Sequence, residues 1–236
     1  MPYKISAENA DKLLRELARA FRMQNRKHAD VEMVIVGGGS ILLNYGFREM
    51  TDDFDIISNA DAAIKEASLV VRDKYDLEYN WVNSDFTQTQ SNSALLQQYS
   101  ALYKVFNNGH FVVRTIKAEY LIAMKTIAYR EYKTDRSDII GVLQAEKEKG
   151  HMITFEDIAD AFGKLYGEGK KMPPDAEKDI RAWSAMSSAE LAELYSDIRN
   201  NEESISVKLK EKTAEYPDKV TEANIKDIIE KIRKSL

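Results

Sequence analysis

Apolar positions recur along this chain with two different periods, and the changes of period lay out its elements. Leu13, Leu14, Leu17 and Phe21 fall at helical spacing. Ser6, with Glu8 behind it, predicts the N-cap and first turn of that helix. A short apolar run, Met33-Val34-Ile35-Val36, predicts a buried strand over 32–36 that breaks on Gly37-Gly38-Gly39-Ser40. A helix is expected over 39–46, a second strand over 53–57 and a further helix over 60–74. Residues 75–92 read as irregular, with a short strand before Trp81. Two strands, 102–106 and 111–116, flank Asn107-Asn108-Gly109, a hairpin signal. From Ala118 onward the pattern is helical throughout.

The last third differs in composition. Thr154-Phe155-Glu156-Asp157 and Ser187-Ser188-Ala189-Glu190 have the spacing of capping boxes. Gly167-Glu168-Gly169 followed by Pro173-Pro174 is the clearest linker, Pro217-Asp218 ends a long charged helix, and Thr221 is placed to cap the last one. The expected organisation is a core over 1–150 and a helical region over 151–236, in an α/β (α+β) fold with a small mixed sheet flanked by helices.

Composition narrows the classes. At 236 residues, 44% of them apolar, the chain is long enough for one large domain or a domain with a smaller companion. It has no cysteine, which excludes disulfides, zinc–thiolate sites and a cysteine nucleophile. His28, His110 and His151 are scattered and suggest neither a zinc motif nor a triad. No apolar leader or ~20-residue apolar run is present, so no membrane association and a cytoplasmic location are expected. The net charge of −5 lacks a broadly basic nucleic-acid footprint.

The chemistry concentrates between residues 31 and 57. Asp53 and Asp55 alternate with Phe54 and Ile56, so an extended strand would project both carboxylates from one face. On a core strand two like charges repel unless a cation compensates them. Two such oxygen donors suit Mg²⁺, or Mn²⁺, shared with substrate phosphates. The glycine turn before a helix offers backbone N–H groups and a positive dipole end to an anion. By itself that turn is compatible with a bare strand–helix connection, and it also resembles a dinucleotide-binding opening. The Gly-x-Gly-x-x-Gly spacing fails, however: counted from Gly37 the third glycine position is Leu42, and counted from Gly38 the second is Ser40. No Gly-Lys-Ser/Thr follows to make a Walker loop. Asp52 points to the other face and reads as solvated.

Glycine turn, short helix and Asp-x-Asp strand together resemble the nucleotidyltransferase fold of the DNA polymerase beta superfamily. Closer still are the small bacterial nucleotidyltransferases that include AbiEii-type toxins. This chain has the Gly37-Gly38-Gly39-Ser40 turn, Arg48 and Thr51 before Asp53-Phe54-Asp55, then Trp81-Val82-Asn83, Leu121-Ile122-Ala123-Met124-Lys125 and Asp135-Arg136-Ser137-Asp138 in matching order. The likeness covers roughly residues 10 to 145. Two departures stand out: Arg48 and Thr51 are one residue further apart than the pattern expects, and the later strand over 110–116 carries no acid to serve as a third carboxylate.

The resemblance implies transfer of a nucleoside monophosphate from an NTP to an acceptor hydroxyl. Asp53 and Asp55 would hold the metal, Gly37, Gly38, Gly39 and Ser40 would seat phosphates, and Arg48, Thr51, Asp135 and Asp138 would bind nucleotide. Lys125 lies inside the apolar stripe of its helix, so it must either snorkel or meet an anion; the implied role is contact with phosphates or with Asp135 and Asp138. The acceptor classes are a tRNA end, a protein hydroxyl or a small molecule such as an aminoglycoside. A non-catalytic fold member, or a toxin–antitoxin module that holds a partner protein, is the alternative.

Overall fold

A computed structural model describes residues 3–24, 30–216, 220–221 and 224–234. The chain divides into two compact units: one runs to Met124 and takes up Glu156–Lys171, and the other comprises Lys125–Phe155 and the chain from Met172 onward.

The first unit is built on a mixed five-stranded sheet in the order β5-β4-β2-β7-β6. Strand β2 (Val31–Ile35) lies antiparallel to β4 (Phe54–Ser58), with Ile35 opposite Ile56, and parallel to β7 (Phe111–Ile116), with Met33 opposite Val113. Strand β5 (Val82–Asn83) adds in parallel on the far side of β4. Strand β6 (Ser100–Phe106) closes the other edge as a hairpin with β7. Its turn needs left-handed backbone at Asn107, Asn108 and Gly109, and those residue types tolerate it.

Helices α1 (Ala10–Gln24) and α3 (Asp61–Tyr75) pack on each other over one core, in which Leu13, Leu14, Leu17, Phe54, Ile64 and Phe111 are wholly buried. Trp81 is buried there as well and donates its indole N–H to the Ser68 carbonyl at 3.0 Å, so its one polar atom is satisfied.

One expectation fails at the N-terminus. Ser6 does not cap α1; it lies in β1 (Ile5–Ser6), which pairs with β3 (Met50–Thr51), Ile5 opposite Thr51. Burying Ile5 completely is worth about 1.5–3 kcal/mol, more than the ~1 kcal/mol of a cap, so the chain extends there instead. Asn9 takes over the entry: its carbonyl accepts the Leu13 N–H at 3.0 Å and its side chain accepts the Ser6 N–H at 3.0 Å. The short strand expected before Trp81 forms just after it, as β5.

Helix α2 (Gly37–Asn44) follows β2 directly, and α4 (Ala118–Ala128) follows β7. Beyond α4 the described regular elements are all helices: α5 (Asp135–Glu148), α6 (Phe155–Tyr166), α7 (Pro174–Ala185), α8 (Ser188–Glu215) and α9 (Ile225–Arg233). The expected mixed α/β fold with a helical C-terminal region is therefore present. In the second unit α5 packs along α8, and Ile205, Leu209, Ile229 and Ile232 form a small core between α8 and α9. Ser187 and Glu190 make the expected capping box at the start of α8. Asn224, rather than Thr221, stands at the start of α9; its side chain accepts the Thr221 N–H at 2.9 Å. Pro217 and Asp218, expected to end α8, lie outside the described residues, as does His28. Among the described residues no helix is long and apolar enough to cross a membrane.

Candidate functional site

Strand pairing sets Asp53 and Asp55 at the mouth of β4. The Phe54 N–H bonds the Trp81 carbonyl on one side, and the Asp55 carbonyl accepts the Val36 N–H at 2.9 Å on the other. Phe54 and Ile56 point into the core while both aspartates stay half-buried, as the alternation predicts. Thr51 is buried, and its hydroxyl donates to the Asp53 carbonyl at 3.1 Å, which holds the bend that enters the strand.

The three glycines do different things. Gly37 has φ +56, a left-handed turn that glycine adopts without strain. A Cβ there would stand 3.8 Å from both Asp55 Oδ2 and Met124 Cε, filling the space beside the carboxylate. At Gly38 a Cβ would stand 2.7 Å from an Arg48 guanidinium nitrogen, so the arginine lies across the turn, with its Nε–H donated to the Met50 carbonyl at 3.3 Å. At Gly39 it would meet the Phe54 ring at 2.6 Å and Ile35 at 2.8 Å, so this glycine lets α2 seat on the sheet. Ser40 is wholly buried: its N–H bonds the Val36 carbonyl, and its hydroxyl accepts the Ile116 N–H at 3.2 Å. The fold thus brings Gly37, Gly38, Arg48, Thr51, Asp53 and Asp55 together, and turns Gly39 and Ser40 toward packing.

Lys125, Asp135 and Asp138 form a cluster inside the second unit. Lys125 is buried and pairs with Asp135 at 3.0 Å and Asp138 at 2.8 Å. Arg130 reaches Asp135 through its Nε at 2.8 Å and through its backbone N–H at 3.1 Å, and Thr134 donates to Asp138 at 2.9 Å. Burial pushes the Asp135 carboxyl up, but the charges of Lys125 and Arg130 outweigh it and hold the group below the usual carboxylate range. Of the two readings of Lys125, the geometry is that of a cation meeting acids.

Residues 12–147, more than half of the chain and a span that includes both groups, match the family described as Nucleotidyltransferase of unknown function (DUF6036). The chain belongs to this nucleotidyltransferase family. Comparison with curated proteins and with solved structures gives no match.

For a nucleotidyltransferase the donor set at β4 has a definite chemistry. Among the described residues no cluster of three or more acids, histidines or cysteines could hold an ion by protein ligands alone. Two carboxylates beside a glycine turn that leaves room at Asp55 suit an ion that takes the rest of its oxygens from substrate and water, which is how Mg²⁺ is commonly held.

Two further polar residues were not among the expected site residues; Asn83 was visible only as part of the Trp81-Val82-Asn83 motif, and Glu202 had no sequence signal. Asn83 aligns with Asp55 across β4 and β5, and its side-chain amide donates to Asp53 Oδ2 at 3.1 Å. Glu202, buried on α8, accepts the Arg136 N–H at 3.0 Å and bonds the Ser137 hydroxyl at the start of α5. Burial, with the Asp138 charge adding to it, pushes its carboxyl up to about 7. A long-range cap of this kind leaves no local pattern to read.

Proposed function

We propose that this chain transfers a nucleoside monophosphate from an NTP to an acceptor hydroxyl with release of pyrophosphate, as a Mg²⁺-dependent enzyme akin to the small AbiEii-type nucleotidyltransferases. The observation that carries the reading is the convergence of the glycine turn, Arg48 and Asp55 on one place beside β4. Asp53 and Asp55 would hold the ion, with Asn83 and Thr51 fixing how Asp53 is presented. A bound divalent ion supplies charge neutralisation for the triphosphate and for the oxygens that attack and leave. Arg48 adds a planar cation suited to phosphate oxygens. The Gly37 and Gly38 amides belong to the first turn of α2, the positive end of the helix, and would serve the same phosphates. Lys125, in this reading, orders Asp135 and Asp138. Mn²⁺ would serve in place of Mg²⁺, and ATP is the first nucleotide to try.

The test is incubation with α-labelled NTPs, Mg²⁺ and three acceptor pools: tRNA, protein and small hydroxylated molecules. Label should pass to one pool, and Asp53→Asn should reduce that transfer by at least 100-fold. Label that never leaves the NTP, despite tight Mg²⁺-dependent binding, would favour a second reading as a nucleotide-binding member without turnover. The two-carboxylate donor set is the observation behind that second reading.

A further inference from the structure

Helix α1 buries Leu13, Leu14, Leu17, Ala18 and Phe21 in the core and turns Lys12, Arg15, Arg19 and Arg22 to solvent. At about 100° and 1.5 Å per residue, those four bases fall within an arc of about 80° and follow one another over about 15 Å. The two acids of the helix, Asp11 and Glu16, flank the arc, one on each side. Each is paired with a lysine from another element: Asp11 with Lys104 of β6, Glu16 with Lys74 of α3. Both acids act on the nearby bases through space. Among the described residues, however, Arg15, Arg19 and Arg22 form no ion pair and no side-chain hydrogen bond. We propose that this stripe docks the phosphate backbone of a duplex RNA. The proposal goes beyond nucleotidyl transfer and does not depend on it, since it names a partner for α1 and not an acceptor.

Three observations carry it. The stripe is costly to its own helix: Lys12 with Arg15, Arg15 with Arg19 and Arg19 with Arg22 are like charges three or four residues apart. Lys12 also lies in the first turn, at the positive end of the helix dipole. An anion from outside relieves both, and the stripe persists in a chain whose net charge is −5. Residue type is the second observation. Three of the four bases are arginines, whose planar fork matches phosphate oxygens. The third is that the apolar half of α1 is sunk in the core. A helix held this way cannot lay that half into a lipid interface, nor enter a major groove as helices that read DNA do. Its one aromatic residue, Phe21, is buried, so the arc has no ring on which an unpaired base could stack. Contact with the backbone of a double helix remains, which is how duplex RNA is commonly bound.

Fluorescence anisotropy of the full chain with a labelled RNA duplex of about 20 base pairs, without nucleotide or Mg²⁺, tests the surface. The parent should bind at about 50 mM salt, and log K should fall against log salt with a slope of about −3 to −4, as for up to four phosphate contacts. Replacing Arg15→Gln, Arg19→Gln and Arg22→Gln together should lower affinity at least tenfold and bring the slope to about −1. Arg19→Gln alone, at the middle of the stripe, should cost at least twofold. Lys178→Gln, Lys210→Gln and Lys212→Gln together remove the same charge from exposed positions in the second unit and should change affinity less than twofold. All of these side chains are exposed, so melting temperatures should stay close to the parent's. No binding by the parent, or an equal loss in both triple variants, would overturn the stripe. Tighter binding to the DNA duplex of the same sequence, to the single strand or to phosphatidylserine vesicles would overturn the choice of duplex RNA.

Discussion

Two pairs of aspartates, one in each unit, show how differently the same side chain is used. Asp135 and Asp138 stand three apart on a helix, sealed from solvent, with Lys125 between them and Arg130 on Asp135. Asp53 and Asp55 stand two apart at the mouth of a strand, half-buried, beside a glycine turn with room left at Asp55. The sealed pair has its cations built in and holds its own unit together. The half-buried pair lies at a strand mouth beside the glycine turn, and in the proposed function it holds the divalent ion. Burial and backbone setting, more than the spacing of the acids, distinguish the two pairs.

The largest effect expected from this contrast is on stability at the sealed pair. Lys125→Met leaves two buried carboxylates short of a cation, which should cost about 3–5 kcal/mol, read as a lower urea midpoint at pH 7. Restoring the balance with Asp138→Asn in the same chain should recover a large part of that loss. A neutral Lys125→Met would show that the lysine snorkels and that the pair is not sealed.

Next comes a pH dependence placed in the same unit. The Glu202 carboxyl is raised from 4.5 to about 7 by burial, so the folded chain binds the extra proton more tightly than the unfolded one. Stability should therefore fall as pH rises from about 4.5 to 7, by up to ~3 kcal/mol, and level off above. Glu202→Gln should flatten that slope. Asp135 has the opposite sign: its contribution is present above the ordinary carboxylate range and is lost only as the solution becomes strongly acid. Urea midpoints from about pH 2 to 8 for the parent and Glu202→Gln would separate the two.

Within the open site the glycines give a smaller and more selective contrast. Gly39→Ala drives a methyl into the Phe54 ring and Ile35 and should destabilise by about 1–3 kcal/mol. Gly38→Ala meets only the far end of the Arg48 side chain, so stability should barely change while triphosphate affinity falls. Arg48→Met should lower triphosphate affinity by about tenfold, the equivalent of ~1.4 kcal/mol, and leave nucleoside affinity alone. Calorimetry with ATP and adenosine would show the split; equal losses for both ligands would remove Arg48 from the phosphate side.

The sequence already showed the Asp-x-Asp strand, the glycine turn and the hairpin at Asn107, because each has a period or turn chemistry of its own. Lys125 was visible as a cation in an apolar stripe, but its partners Asp135 and Asp138 could be matched to it only through the family pattern. Ser6 and Ser40 were read from local chemistry, as a cap and a phosphate ligand, and tertiary structure put them elsewhere: a strand that buries Ile5, and a hydroxyl bonded to Ile116. Glu202 and Asn83 act across the fold, 65 and 30 residues from the side chains they bond. No window of sequence contains both partners.

The most direct measurement is titration calorimetry of a non-hydrolysable ATP analogue into the parent and into Asp55→Ala, each with and without Mg²⁺. The account predicts binding by the parent only when Mg²⁺ is present, little or none by Asp55→Ala, and a melting temperature for the variant equal to or above the parent's, since two like charges no longer face each other. Equal, Mg²⁺-dependent binding by both proteins would contradict it.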